Sequence, residues 1–306
     1  VKAAFINQFG GPEVLQYGDM PDPTAGPGQV VVDVMAASVN GADWRVRAGL
    51  YSEPKFPLIL GRDFSGTVAA LGAGVEDLRV GDPVFGVLEA GREGAYAEKL
   101  AITAAIVAKK PDALSHIDAA ALALTGLTAL ISVETTLKLA RGETILIQGG
   151  AGGVASIAIQ IAKHIGARVI TTTSAANIDY VRSLGADQVI DYKAQDFTQV
   201  ISGCDAAFDT VGGDVAQKCF AVLRPGGRAA FIASGMQAPK PDRTDVTSLR
   251  PAVGRARAPL ERIAALVAAG AVRPPEIKLY RLSQAAEAHR LSEGRHFRGK
   301  LVFQVR

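Results

Sequence analysis

Between Glu143 and Ser174 the chain reads ETILIQGGAGGVASIAIQIAKHIGARVITTTS, and few architectures accommodate that stretch. Glu143–Gln148 has the apolar run of a short buried strand, Val154–Ile165 carries apolar residues at helical spacing, and Arg168–Thr173 is a second strand rich in β-branched residues. The intervening Gly149-Gly150-Ala151-Gly152-Gly153-Val154-Ala155 turn contains four glycines. Glycines let a backbone turn sharply and bring its amides close to a diphosphate at the positive end of the following helix. The spacing is Gly149-x-x-Gly152-x-x-Ala155, not the commoner G-x-G-x-x-G. Taken alone, such a turn also suits close packing of small residues. The strand before it and the helix after it supply the context of a dinucleotide-binding turn.

The same alternation continues. Further strands are predicted at Gln188–Asp191, Cys204–Asp209 and Gly227–Ala233, with helices at Asn177–Leu184, Gln195–Ile201 and Val215–Leu223 between them. Strand-helix alternation gives a parallel sheet covered on both faces, with ligands at the carboxyl ends of its strands. Those ends carry Gly149–Val154, Thr173-Ser174, Asp209–Gly212 and Ala233–Met236.

The opening part has a different texture. Val1–Ile6, Val14–Tyr17 and Gln29–Val39 read as strands punctuated by Gly10-Gly11-Pro12 and Pro21–Gly28, and Gly66–Leu71, Pro83–Val87 and Ala95–Ile102 follow. From Ile117 an alanine- and leucine-rich stretch predicts two helices broken at Thr125-Gly126. Gln237–Arg257, polar, proline-interrupted and arginine-containing, reads as an irregular connection, after which a helix at Leu260–Ala268, a segment at Glu276–Arg281, a helix at Gln284–Glu293 and a strand at Lys300–Val305 close the chain. With 306 residues, 48% of them hydrophobic and 21% charged, about two globular domains are expected. A net charge of +3 makes no demand for nucleic acid or an anionic membrane, no apolar run reads as membrane-spanning, and the first residues lack a signal-peptide layout. A cytoplasmic location follows as the expectation. Two cysteines, Cys204 and Cys219, build neither a disulfide framework nor a cysteine-rich zinc site.

Motifs spread over nearly the whole length carry a resemblance. They are Ser38-Val39-Asn40 with Asp43 and Gly49-Leu50-Tyr51; Gly61-Arg62-Asp63-Phe64-Ser65-Gly66; Val80-Gly81-Asp82-Pro83-Val84; Gly94-Ala95-Tyr96-Ala97-Glu98; Leu124-Thr125-Gly126-Leu127-Thr128-Ala129; the glycine turn; Leu184-Gly185-Ala186-Asp187; and Gly299-Lys300. In order and spacing they resemble the medium-chain dehydrogenase/reductase superfamily, in its zinc-independent quinone-oxidoreductase-like branch. The resemblance implies an α/β chain with a GroES-like β-rich catalytic domain, residues 1–121 and 256–306, around a Rossmann doubly wound parallel-sheet cofactor domain, residues 122–255. It also implies a nicotinamide in the cleft between them, and a homodimer.

Zinc-dependent relatives use a cysteine near the position of Asn40 and Gly-His-Glu where this chain has Gly61-Arg62-Asp63. Arginine stays protonated and cannot ligate zinc, and His116, His164, His289 and His296 are scattered without ligand spacing, so no metal is expected. Without a Lewis acid, hydride delivery to an electron-poor quinone or enone is easier than reduction of a simple ketone. In zinc-free enoyl reductases a tyrosine in the segment matching Gly49-Leu50-Tyr51 is the proposed proton donor, which makes Tyr51 the candidate acid here; a cleft-lining aromatic is its other reading. Asn40 is the candidate for hydrogen bonding substrate oxygen or cofactor ribose, or else a loop residue satisfying backbone. Trp44, Arg47 and Met236 are the expected pocket residues.

For the cofactor, Gly149, Ala151, Gly152, Gly153 and Val154 form the expected diphosphate turn. An NAD site places an acid at the end of the second strand, whereas Thr173 and Ser174 offer only hydroxyls, so NADPH is expected. Ser174, Asn177 and Tyr192 are the expected 2′-phosphate contacts, with Asn177 standing where the family usually has lysine and Arg182 a further helper. Thr125, Thr128, Val211, Ala233, Ser234, Gly235 and Lys300 complete the expected cofactor set. Two functions therefore stand: an NADPH-dependent reductase of quinones or α,β-unsaturated carbonyls, enoyl thioesters and 2-alkenals included; or an NADPH-binding regulatory or RNA-binding protein with little turnover, using Arg243, Arg250, Arg255 and Arg257. Nucleic acid is the minor alternative, since that segment lacks aromatic residues for base stacking.

Overall fold

A computed structural model describes residues 1–51, 55–235 and 237–306, and the chain divides into two compact units. One comprises Val1–Leu124, Gly254–Ala268 and Pro274–Arg306; the other comprises Thr125–Val253 and Ala269–Arg273.

The first unit is built on the long strand Gln29–Val39. That strand pairs antiparallel with Asp63–Leu71, Lys99–Thr103 and Lys300–Gln304, and the sheet continues to Pro83–Val87 and Ala108–Lys109 on one side and Ile277–Arg281 on the other. Its buried positions include Val30, Val32 and Val34, whose alternating side chains share a core with Phe64, Val84, Tyr96, Leu301 and Phe303. The register sets Ser38 opposite Asp63, which brings the Asn40 loop beside the Gly61-Arg62-Asp63 turn. A smaller sheet joins Lys2–Ile6 to Gln16–Asp19 and Leu58–Ile59. The five-residue helix Asp43–Arg47 is too short to leave a helical period in the sequence and was not among the expected elements.

The second unit carries six parallel strands in the order Gln188–Asp191, Arg168–Thr173, Thr144–Ile147, Cys204–Asp209, Leu223–Phe231 and Thr247–Leu249. In sequence rank this is 3-2-1-4-5-6, the doubly wound nucleotide-binding order whose direction reverses beside its first strand. Thr247–Leu249 corrects the irregular reading of Gln237–Arg257: it adds to the sheet edge despite its exposed, polar composition. Two expected helices shrink. Gln195–Ile201 keeps only a single turn at Phe197–Gln199, and Val215–Leu223 becomes Asp214–Lys218 followed by a turn at Cys219–Val222.

Thr125-Gly126 does not break the apolar segment. One helix runs through it, His116–Leu130, and continues as a wider π turn over Ile131–Thr136. An internal glycine costs only about 1 kcal/mol, less than the burial of the alanines and leucines around it supplies. The joined 21 residues are long and apolar enough to cross a membrane, contrary to the sequence expectation, but 72% of the most apolar window is buried inside the protein, as in a core helix.

Candidate functional site

The glycine turn leaves the carboxyl end of Thr144–Ile147, and the two flanking strands brace it. Thr172 Oγ1 accepts the Gly149 amide at 3.2 Å and the Thr172 carbonyl accepts the Gly150 amide at 2.9 Å, while Thr210 Oγ1 donates to the Gln148 carbonyl at 2.8 Å. Thr172 also donates to the Gln148 side chain. Gly149 sits at φ +70°, where a side chain would be strained, and a Cβ there would lie 3.0 Å from Val211. The helix Gly153–Ile165 then starts with Gly152 as its cap. That cap has no side chain to satisfy the first-turn amides, so the amides of the half-buried Gly153 and Val154 lack an intrahelical partner at the positive end of a 13-residue helix, with Ala155 buried behind them. A Cβ built on Gly152 would meet only the Gly149 carbonyl, at 3.2 Å. Unpartnered donors at a helix N-terminus suit a diphosphate.

The remaining expected cofactor residues fall around the same sheet end or elsewhere as follows. Thr173 is buried at the end of its strand; Ser174 Oγ, just beyond it, accepts from Asn177 Nδ2 at 3.2 Å, and Tyr192 is exposed. Asp209 is buried and accepts the Val211 and Gly212 amides at 3.0 Å, fixing the loop that carries Val211. Burial raises the pKa of its carboxyl. Ala233 and Ser234 are half-buried, and Gly235 lies at φ +78°. Met236 lies outside the described residues. Thr125 and Thr128 are buried in the apolar helix.

In the first unit, Asn40 is held from both sides: Nδ2 donates to Asp63 Oδ1 at 2.8 Å, and Oδ1 accepts from Lys300 Nζ at 2.6 Å. Lys300 is buried and also donates to the Val39 carbonyl at 2.7 Å; burial lowers its pKa. Its ammonium, expected at the cofactor, is thus directed into the Asn40 loop. Asp63 also accepts from Ser38 Oγ at 2.8 Å and from the Leu124 amide at 3.3 Å. Tyr51 is 42% exposed, and its hydroxyl oxygen accepts from Arg45 Nη1 at 3.0 Å, which leaves the hydroxyl proton available for donation. Trp44 is half-buried beneath the Arg45 guanidinium, 5.3 Å from the ring centroid.

Arg47 departs from its expected place at a pocket wall. It is 1% exposed, donates to the Gly10 carbonyl at 3.1 Å and pairs with Glu293 at 2.8 Å, while Nη1 faces His289 Nδ1 at 3.4 Å. Burial and that guanidinium push the His289 pKa down to about 3, so its imidazole is neutral. Of the arginines expected at a phosphate or RNA, Arg250 is exposed and the other three are engaged within the protein. Arg243 pairs with Asp245 at 2.6 Å, Arg255 Nε donates to the Leu88 carbonyl at 2.9 Å, and Arg257 pairs with Asp77.

Sequence reasoning missed a second group beside Asn40. Asp43 Oδ2 accepts from the Asn40 amide at 2.8 Å and from Tyr96 Oη at 2.6 Å; its other oxygen lies 3.9 Å from Arg62 Nε. Arg62 Nε donates to Glu93 Oε1 at 2.6 Å. Asp43 and Tyr96 are fully buried, and Glu93 is 6% exposed at its side chain. Desolvation, then the Asp43 charge, pushes the Glu93 pKa up to about 7 against the pull of Arg62. The folded protein therefore holds a proton on Glu93 over a range in which the unfolded chain has released it, and stability falls as pH rises from 4.5, the free glutamate value, to about 7. Glu93→Gln keeps an acceptor for Arg62 and removes this loss. Urea unfolding is expected to show the variant equal to wild type at acid pH and more stable by about 3 kcal/mol in mildly alkaline buffer. Parallel pH profiles for the two proteins would contradict the assignment.

Comparisons with known proteins accord with both units. Residues 26–112 match the profile of the alcohol dehydrogenase GroES-like domain, and residues 184–303 match that of the zinc-binding dehydrogenase domain. The quinone oxidoreductase of Coxiella burnetii is 35% identical and superposes with a TM-score of 0.95 over 100% of this chain and 99% of that one. A chloroplastic NADPH-dependent alkenal/one oxidoreductase of Arabidopsis thaliana is 31% identical over 99% of this chain and 79% of its own length. A 2-methylene-furan-3-one reductase of Solanum lycopersicum is 33% identical over 78% of this chain, and the match spans 64% of that relative's length. The chain belongs to the medium-chain dehydrogenase/reductase superfamily, in its quinone-oxidoreductase-like branch.

Proposed function

We propose that this protein reduces quinones or α,β-unsaturated carbonyl compounds with NADPH and without zinc. The observation that carries the reading is the glycine-capped helix start at Gly152–Val154, whose unpartnered amides lie at the carboxyl end of the first strand of a 3-2-1-4-5-6 sheet. The relatives named above act on quinones, alkenals or an exocyclic enone. When bound, NADPH supplies the hydride. The chain's own residues bind and orient: the turn amides hold the diphosphate, Ser174, Asn177 and Tyr192 receive the 2′-phosphate, and Asn40, fixed by Asp63 and Lys300, presents a rigid amide. Tyr51 delivers the proton where the acceptor is an alkene; a reduced quinone takes its protons from water.

The zinc-free reading rests on donor chemistry. Arg62 stands where a ligand would be required and cannot coordinate, and Asp63 is spent on Ser38, Asn40 and a backbone amide. Among the described residues no group of three or more His, Cys, Asp or Glu side chains is arranged to hold a metal. A cytoplasmic homodimer completes the proposal.

The test is steady-state oxidation of NADPH and NADH by 1,4-benzoquinone and 3-buten-2-one in chelator-treated buffer. NADPH-dependent turnover without metal is expected; tight NADPH binding with no turnover on either acceptor would overturn the reading. Cofactor choice has its own variant. Ser174→Asp places a carboxylate where the 2′-phosphate is read, and is expected to weaken NADPH binding roughly 10- to 100-fold, about 1–3 kcal/mol, while leaving NADH binding intact or better. Equal losses for both cofactors would show that Ser174 does not face the 2′ position.

A further inference from the structure

The inner side of the Arg62 guanidinium is engaged and its outer side is not. Nε is fixed by Glu93 at 2.6 Å with Asp43 at 3.9 Å behind it, whereas Nη1 and Nη2 have no hydrogen-bond partner among the described residues. Neither is a buried unsatisfied atom, and the side chain is 22% exposed, so the two outer nitrogens open to solvent. A guanidinium anchored through one nitrogen presents a planar, pre-oriented fork, the geometry that matches both oxygens of a carboxylate. The surroundings add positive charge. Arg255 is close enough for Arg62 to depress its pKa, second only to burial, and Arg45 holds the hydroxyl of Tyr51, which itself lies within electrostatic reach of Arg62. The two carboxylates nearest the guanidinium are both buried, and desolvation raises the pKa of each.

We propose that Arg62 is a substrate-specificity residue that selects alkenes bearing an ionised carboxylate, so that the substrate class of this reductase includes 2-enoates. The proposal rests on the reductase reading above and refines it. An ionised carboxylate donates electron density into the conjugated double bond and dulls it toward hydride; a two-point guanidinium clamp withdraws that charge and restores the electrophile. The overall step balances: hydride from NADPH forms the C–H bond at the β-carbon, the C=C π pair accepts a proton at the α-carbon from Tyr51 or water, and the products are the saturated carboxylate and NADP⁺.

Crotonate and its methyl ester make the test, since they differ in the charge that Arg62 would read. Calorimetric titration of the cofactor-free wild-type protein is expected to detect crotonate binding and weaker binding of methyl crotonate; this needs no variant. Arg62→Lys leaves an ammonium to pair with Glu93 and removes the outer fork. It is expected to lower the crotonate-to-methyl-crotonate ratio of kcat/KM by about 50-fold, within the range set by loss of charge-assisted hydrogen bonds. A structural role for Arg62 would lower both rates together and leave the ratio unchanged, which would overturn the proposal, as would wild-type protein that binds the ester as well as the acid. Absence of quinone and enone turnover in wild type would instead strike at the reductase reading, and the calorimetric comparison would still decide whether Arg62 binds a carboxylate.

Discussion

Gly152→Val is expected to weaken NADPH binding at least 100-fold while leaving the melting temperature of the cofactor-free protein nearly unchanged. Gly152 has φ −75° and ψ 160°, a conformation open to any residue, and its added Cβ would touch only the Gly149 carbonyl at 3.2 Å. That contact is tight, so the Gly149 backbone must give by a few tenths of an ångström, a small cost beside the loss of the diphosphate donors. The side chain at a helix cap stands over the second and third amides of the first turn, and methyl groups there would cover the donors meant for the diphosphate. Loss of two charge-assisted hydrogen bonds is worth about 3 kcal/mol or more, hence the hundredfold. Fluorescence titration of NADPH alongside thermal unfolding separates the two effects. Unchanged affinity would mean that the diphosphate lies elsewhere.

The second large effect is structural and falls in the other unit. Gly61→Ala is expected to destabilise the protein by about 3–5 kcal/mol and to lower its melting temperature by roughly 10 °C. Gly61 has φ +91°, and a Cβ there would lie 2.1 Å from Cδ1 of Tyr96. Tyr96 has nowhere to go: it is fully buried, packs edge-on against Phe303 at 4.7 Å, and its hydroxyl is tied to Asp43 at 2.6 Å. Gly74→Ala is the control. At φ +81° with no atom within 4 Å of its Cβ, it bears only the backbone term, about 1 kcal/mol. Similar melting temperatures for the two variants would show that the Tyr96 contact is not what demands glycine at position 61.

The second unit was legible in the sequence wherever burial imposed a period. Thr144–Ile147, the glycine turn and Gly153–Ile165 appear nearly where the pattern puts them, because a short apolar run, a cluster of glycines and a longer apolar stretch with helical spacing leave different signatures. Thr247–Leu249 was hidden because an edge strand needs little burial and its three residues form no apolar run. The helix through Gly126 was misread because local propensity lost to the apolar packing around it. At the site, Asn40, Tyr51, Ser174 and the turn were visible as residue types in context. Glu93 was not, and Tyr96 stood only as part of the Gly94–Glu98 motif, since their significance comes from desolvation and from Asp43, 50 positions or more away along the chain. Arg62 was read only for what it cannot do, bind zinc; the fork it presents emerges only once Glu93 is seen holding its inner nitrogen.

The central claim is that the amides at Gly153 and Val154 grip the diphosphate of NADPH. A crystal of this protein soaked with NADPH addresses it directly. The expected result is phosphate density against those amides, with the adenosine 2′-phosphate beside Ser174; a dinucleotide bound at any other place, with the glycine turn empty, would contradict it.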